Sequence, residues 1–339
     1  MKRSAVGLAE IADLHNLAAA FHAAARGKRG RGDVEAFRGD LDRELSALHA
    51  GLLAGTLSPA PMRRFRIHDP KPRLIHAPCF RDRVLHHAIM AHVGPVLDRT
   101  LVFDIYACRA GKGTLAAVRR ASVHARRNEW HGQIDVRGYF ANIDHTVLLA
   151  LLARQFKNRG LMQLLARIIR AHEDSPGRGL PIGTLTSQHF ANFYLGGLDR
   201  RLLEVCRVPG FVRYMDDLVW WTDDRAAARA ALDIARGYLA EALHLEVKQP
   251  VRVGRSRDGL SFCGFRILPG RLLLLRRRRR RHAALRKHAE RAWQDGRTDA
   301  RGLQSAYASA LALTVHAGAA GWRREQLRRH PLEPALEAL

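Results

Sequence analysis

Hydrophobic positions recur every three to four residues toward both ends of the chain and alternate over short stretches in its middle. Val6, Leu8, Ile11, Leu14, Leu17 and Phe21 fall on one face of a helix predicted over residues 4–25. Phe37, Leu41, Leu45 and Leu48 do the same over residues 34–53. Between them, Gly27-Lys28-Arg29-Gly30-Arg31-Gly32 breaks the pattern, as either a flexible linker or a nucleic-acid contact. The period changes at Met62. Residues 62–67 and 73–77 predict two strands joined through Asp69-Pro70-Lys71-Pro72, with the prolines kept to the turn where no ladder hydrogen bond is lost. A long helix follows over residues 80–97. Cys108 to Thr114 is a basic, glycine-rich loop; it lacks the Ser or Thr directly after Gly-Lys that a P-loop needs, and it predicts Thr114 as the cap of the next helix.

Further on, residues 133–136 predict a strand ending on Asp135. Gly138 lets the backbone turn, and a helix starts at residues 142–145 with Asp144 as its cap. Arg178 to Gln188 contains a Gly-Leu-Pro-Ile-Gly segment leading into a helix over residues 186–205 capped by Thr186. Residues 210–221 are two apolar runs flanking adjacent acids, the pattern of a hairpin with Met215-Asp216-Asp217 as its turn. That turn lacks the Asn-Gly or Asp-Gly that stable hairpins favour. Two like charges side by side repel, and a cation relieves the repulsion; a solvated turn is the alternative. Residues 245–250 read as a strand, 260–267 as a hairpin, 276–293 as a strongly basic helix and 304–322 as an apolar helix. Helices and short strands in this mixture predict an α+β fold.

Composition narrows the partners. The 339 residues carry 57 Lys+Arg against 32 Asp+Glu, a net charge of +25. Such an excess suits a polyanion, with counterion release supplying affinity. No apolar run approaches the ~20 residues of a membrane span, and the first 25 residues make a poor signal peptide. Cys79, Cys108, Cys206 and Cys263 stand singly, forming neither a disulfide framework nor a zinc pattern, so the expected location is the reducing cytoplasm.

Tyr214-Met215-Asp216-Asp217 resembles the Tyr-x-Asp-Asp box of reverse transcriptases, and the resemblance continues over about residues 62–267, with a weaker match to residue 327. It implies a right-hand polymerase: an N-terminal helical extension (1–61), fingers (62–130), a palm of antiparallel sheet plus helices with inserted fingers helices (131–270), and a helical thumb (271–339). In such an enzyme two Mg²⁺ ions about 4 Å apart serve phosphoryl transfer to a sugar hydroxyl, and hard carboxylate oxygens suit them. Asp135, 81 residues before Asp216, falls where the family has its other strand-borne acid. The resemblance thus implies Asp135, Val136, Asp216 and Asp217 as the metal-binding set, Mg²⁺ as cofactor with Mn²⁺ able to substitute, and Lys248 as a catalytic proton donor to pyrophosphate. An exposed strand lysine is the competing reading of Lys248.

Other positions follow from the same likeness. The basic hairpin resembles the fingers hairpin, which implies Lys71 and Arg73 on the phosphates of the incoming nucleotide; a charge-protected edge strand would use the same residues. Arg81 and Arg83, cations at a helix start where the dipole disfavours them, suit the template, as Arg-Asp-Arg does in the family. Phe140, five residues after Asp135, matches the aromatic that crowds a ribose 2′-hydroxyl, or is an ordinary core residue. Phe262, Cys263 and Gly264 resemble the primer grip, Gly264 allowing close backbone approach. Arg276 and Arg280 suit a duplex backbone, and Tyr307 with Val315-His316-Ala317-Gly318 resembles the thumb.

Ile182-Gly183 with Ser187-Gln188 sharpens the subtype. Reverse transcriptases often have Gln before this glycine; the Ile-Gly-x-x-x-Ser-Gln form resembles the enzymes of bacterial diversity-generating retroelements, where this position is tied to low fidelity opposite template adenine. The implied partners are an RNA template with a DNA or RNA primer, dNTPs, and a small basic accessory protein. Only about 70 residues follow Phe265, so no endonuclease, RNase H or maturase segment is expected. A retron or group II intron-like enzyme is the alternative, and an RNA-binding protein with a silent polymerase fold is the reading from a different class.

Overall fold

The computed structural model describes residues 2–68 and 72–332. Helices α1 (Leu8–Ala12) and α2 (Leu14–Ala25) replace the single helix expected over residues 4–25. Asp13 leaves helical geometry, and its carboxylate accepts from the backbone N–H of Asn16, capping α2. Likewise α3 (Gly32–Gly39) and α4 (Leu41–Leu53) divide at Asp40. Their apolar faces close on α5 (Phe80–Asp98), where Phe21, Phe37 and Phe80 pack ring to ring with centroids 5.2 to 6.0 Å apart. The N-terminal helices therefore share one core with the central sheet.

Between α4 and α5 lies a two-stranded antiparallel sheet, β1 (Arg63–His68) with β2 (Pro72–Ala77). All six residues of β1 are exposed. After α6 (Thr114–Arg127) comes β3 (Trp130–Asp135), then α7 (Tyr139–Asn142), α8 (His145–Ala153), α9 (Arg159–Arg170), α10 (Leu185–Tyr194) and α11 (Gly196–Arg200), which runs into a π-helical turn, Arg201–Val205. Asp144 caps α8 as expected. Two other caps differ by a residue or two. Gly113, not Thr114, sits at the start of α6, and Thr184, not Thr186, caps α10 by accepting from Ser187. Thr186 is instead buried in the first turn of α10, its Oγ1 2.9 Å from His86 Nδ1.

The central sheet has the order β4-β5-β3-β6, antiparallel throughout, with β4 (Gly210–Tyr214), β5 (Asp217–Thr222) and β6 (Arg252–Arg255). Helix α12 (Arg225–Leu243) joins β5 to β6. The strand expected over residues 245–250 is reduced to one bridge, Val136 opposite Val247, and regular pairing begins only after Pro250. A second antiparallel sheet, β7 (Leu260–Phe262), β8 (Phe265–Leu268) and β9 (Arg271–Leu274), shares a smaller core with α6, Tyr106 and Trp221. The chain ends in α13 (Arg276–Gln294), α14 (Ala300–Ala312) and α15 (Ala320–Arg329). The apolar helix expected over residues 304–322 is broken because Gly318 turns back to donate its N–H to Leu272 of β9. No described helix is long and apolar enough to cross a membrane, and all four cysteines are free.

Candidate active site

Asp135 and Asp217 are direct cross-strand neighbours on β3 and β5. The turn before Asp217 is shorter than expected: Tyr214 already pairs with Asp217, leaving Met215-Asp216 as a two-residue connection. Met215 takes the left-handed conformation (φ 58°) that this tight reversal demands. Its carbonyl accepts from Arg213 Nη1 at 2.9 Å, and Arg213 is itself fully buried. Sheet register thus brings two acids 82 residues apart together at one end of the two central strands and sets Asp216 beside them.

The carboxylates are electrostatically crowded. Burial raises the pKa of Asp216 above the ordinary Asp value, and the neighbouring Asp135 charge raises it further. Burial also pushes Asp217 up to about 7, with Asp135 and Asp216 adding to the rise. Gln133 opposes this by donating Nε2–H to Asp217 Oδ1 at 2.9 Å; the same amide reaches the Ser261 carbonyl at 3.0 Å. The ammonium of Lys248 lies 2.5 Å from Asp135 Oδ2, and its backbone N–H donates to the Asp135 carbonyl. That contact raises the Lys248 pKa, so the side chain is cationic at neutral pH.

Among the described residues no three His, Cys, Asp or Glu side chains are gathered into a finished metal cage. The donor set nevertheless suits a hard divalent cation. Three carboxylates lie near one another at one end of the central sheet, two of them with raised pKa values, and positive charge relieves that strain. Val136 has an aliphatic side chain, so only its backbone could contribute. With Arg137 N–H and the Asp135 carbonyl both bonded to the 246–248 segment, the alternation of the ladder turns the Val136 carbonyl away from that segment.

Other positions named from the sequence are scattered around this centre. Arg73 lies on β2 opposite Ile67, and its charge is felt at Asp216, where it favours the ionised form. Lys71 lies outside the described residues. Phe140 is the second residue of α7, half-buried, with its ring centroid 5.8 Å from that of Tyr139. Ile182 accepts the His76 backbone N–H at 2.8 Å. Gly183 (φ 128°) is required by the chain itself, since a Cβ there would stand 2.7 Å from the His76 carbonyl oxygen. The segment that approaches this glycine is β2, through Ile75 and His76.

Several positions are already engaged within the chain. Arg81 is bound to buried Asp82 and to the Ser58 carbonyl, while Arg83 donates to the Pro78 carbonyl. Asp82 in the first turn of α5 offsets the two cations at that helix start. Ser187 is buried, with Thr184 Oγ1 donating to its Oγ at 2.5 Å; Gln188 is exposed, its Oε1 3.6 Å from Cys108 Sγ. Phe262 is buried in the smaller core, and Cys263-Gly264 forms the turn between β7 and β8. Gly264 approaches Arg278 Nε so closely that a Cβ would stand 2.6 Å away. Arg276 and Arg280 are exposed on α13.

Sequence reading missed Gln133, Arg213, Asp199 and Asn192. An arginine inside the apolar run Gly210-Phe211-Val212-Arg213-Tyr214 was the available signal, because a charge in a buried strand must find a partner.

An antiparallel sheet carrying an acid on one strand and an acidic turn on the next, flanked by helices, is the palm of a right-hand polymerase. The sequence profile of the family described as reverse transcriptase (RNA-dependent DNA polymerase) matches residues 67–250, more than half of the chain. The chain belongs to the reverse transcriptase family. It is 24% identical over 173 residues to the group II intron-encoded protein LtrA of Lactococcus lactis subsp. cremoris, covering 48% of this chain and 29% of that protein. It is also 21% identical over 129 residues to a putative COX1/OXI3 intron 2 protein of Saccharomyces cerevisiae, covering 36% of this chain and 15% of that one. The chain thus spans less than a third of the length of these relatives. Telomerase from Candida albicans, solved with a fragment of telomeric RNA, superposes with a TM-score of 0.49 at 12% identity, covering 80% of this chain and 55% of that one.

Proposed function

We propose that this protein is an RNA-directed DNA polymerase that makes cDNA on a primed RNA template from dNTPs, with residues 62–130 as fingers, 131–270 as palm and 271–339 as thumb. The observation that carries this reading is the cross-strand pairing of Asp135 with Asp217, beside Asp216 in the adjoining turn. Two divalent ions held there, Mg²⁺ or Mn²⁺, would activate a primer 3′-hydroxyl and stabilise the leaving pyrophosphate. The residues themselves hold the site in place. Gln133 fixes the Asp217 carboxylate, Arg213 fixes the turn through Met215, and Lys248 keeps a proton at Nζ within reach of the acids. Arg73 faces the same centre with positive charge, and Phe140 stands near the start of α7 as the candidate sugar discriminator.

Within the family, the form Ile182-Gly183 supports an enzyme of a diversity-generating retroelement, copying a template-repeat RNA with errors and assisted by a small basic protein in the cytoplasm. A second reading, a group II intron-like enzyme, is favoured by the intron-encoded relatives. The test of the activity is extension of a primed RNA template with Mg²⁺ and dNTPs. The wild type should extend and Asp216→Ala should not. Absence of extension by the wild type, or equal extension by Asp216→Ala, overturns the assignment.

A further inference from the structure

The loop between α5 and α6 carries Phe103, whose 71% exposure is the highest of any large hydrophobic residue among those described. It lines an open groove of about 620 Å³ with Tyr106, Lys112, Leu115 and Arg119. The ring is held in place: Lys112 Nζ sits 3.4 Å from its centroid and donates to the Phe103 carbonyl at 3.0 Å. The loop is held as well. Asp104 and Tyr106 of the loop exchange backbone hydrogen bonds with Arg213 of β4, whose N–H donates to the Asp104 carbonyl and whose carbonyl accepts from the Tyr106 N–H, and Gly113 N–H bonds the Tyr106 carbonyl. Burial of Phe103 would be the ordinary fate of such a side chain; here the hydrogen bonds of the loop hold the ring out in solvent.

The charge around the groove is one-sided. Asp104 is neutralised by Arg120 and accepts from the Tyr106 hydroxyl, and Asp98 is taken by Arg109. Lys112 and exposed Arg119 remain, and neither has a carboxylate partner within ion-pair distance among the described residues. An exposed aromatic face beside unneutralised cations fits a nucleobase stacked on the ring with its phosphate on the cations, a combination that tolerates any base. The net charge of +25 favours a nucleic acid over a protein segment as the occupant.

We propose that the Phe103–Lys112–Arg119 groove is a binding site for single-stranded nucleic acid on the flank of the sheet, separate from the carboxylate centre. The site takes a stacked base and one or two phosphates. It holds the strand through π-face and phosphate contacts, with no base-edge reading. Stacking and charge alone are shared by RNA and DNA, so the two sources are distinguished by experiment.

The test is equilibrium binding, which does not depend on polymerase activity. Full-length protein is titrated with 12-nucleotide oligo(U) and oligo(dT) carrying a 2-aminopurine, and with a blunt duplex as control. Phe103→Ala should weaken single-strand binding roughly tenfold, a typical stacking loss, and abolish the change in 2-aminopurine fluorescence, while Phe103→Trp should retain both. Lys112→Gln and Arg119→Gln should lower the salt dependence of the same binding. Duplex affinity should be little changed in Phe103→Ala, and circular dichroism should report an intact fold. A higher affinity for oligo(U) than for oligo(dT) identifies RNA as the occupant, the reverse identifies DNA, and parity identifies a site blind to the sugar. Single-strand binding and fluorescence unchanged in Phe103→Ala, or an equal loss of duplex binding, overturns the proposal. Failure of primer extension with Phe103-dependent binding intact would instead reject the polymerase reading alone.

Discussion

Arg213 and Asp199 form an ion pair from which solvent is excluded on both sides, with Nη2 2.6 Å from Oδ2 and Nε 2.7 Å from Oδ1. The remaining donors of the guanidinium go to the side chain and backbone carbonyls of Asn192 and to the Met215 carbonyl. One side chain therefore ties α10, α11 and the acidic turn together. Removing one partner leaves the other charge buried and unmatched. Asp199→Ala or Arg213→Ala should cost about 3–5 kcal/mol of stability, read by urea denaturation. A loss under about 1 kcal/mol would show that the pair does not clamp the turn.

The acids should make the metal-free protein less stable as pH rises. A carboxyl whose folded pKa lies above its unfolded value binds its proton more tightly when folded, so stability falls between the two values. For Asp217 that window runs from about 4, the unfolded value, up to about 7. With metal chelated, Asp217→Asn should melt higher than the wild type at pH 8, and the difference should close toward pH 4. Its extension activity should be absent at every pH. Thermal melts across that range decide the matter, and a constant difference would reject the buried Asp217 carboxyl as the cause.

Lys248 competes with any cation for the Asp135 carboxylate, which it contacts at 2.5 Å. Lys248→Met should therefore tighten binding of Mn²⁺ to the free protein, measured by titration calorimetry. If the ammonium also supplies a proton to pyrophosphate, the same variant should extend primers about a hundredfold more slowly, the scale of general acid catalysis. Tighter metal binding with normal extension would leave Lys248 as a placeholder only.

Ile182 ties the segment before α10 to β2 through its backbone carbonyl, which accepts from His76 and which Ile182→Gln leaves intact. The variant should lower misincorporation opposite template adenine, because a polar contact worth about 0.5–1.5 kcal/mol approaches a tenfold change in discrimination. Sequencing of cDNA from a template of balanced composition measures this. Wild-type accuracy at adenine equal to that at the other bases would remove the retroelement subtype.

The basic run on α13 is not uniform. Arg278 stacks 4.1 Å from the Phe265 ring centroid and donates to the Cys263 and Leu313 carbonyls, whereas Arg276 and Arg280 are exposed. Replacing Arg276 and Arg280 by Gln should reduce the salt slope of duplex binding by about two, one unit per lost phosphate contact. Arg278→Gln should instead lower the melting temperature. An unchanged slope in the double variant would place the duplex elsewhere.

Much of this was legible in the chain alone. The apolar runs on either side of Asp216-Asp217, the strand ending on Asp135 and the hairpin at residues 260–267 identify themselves by local patterns, because short apolar runs bounded by turn signals mark buried strands. Composition likewise determined the sign of the partner's charge. Helix limits were less legible: Asp13, Asp40 and the turn before Gly318 break continuous apolar periodicity, and side-chain caps and a bond to a distant strand decide such points. Register was beyond local reading altogether. That Asp135 faces Asp217, that Gln133 and Lys248 reach those carboxylates, and that Gly183 is dictated by His76 all depend on segments far apart in sequence. The buried partnership of Arg213 with Asp199, and the exposure of Phe103, are settled only when the whole chain has chosen which surfaces to withdraw from water, since burial is a property of the assembled fold and not of any single stretch.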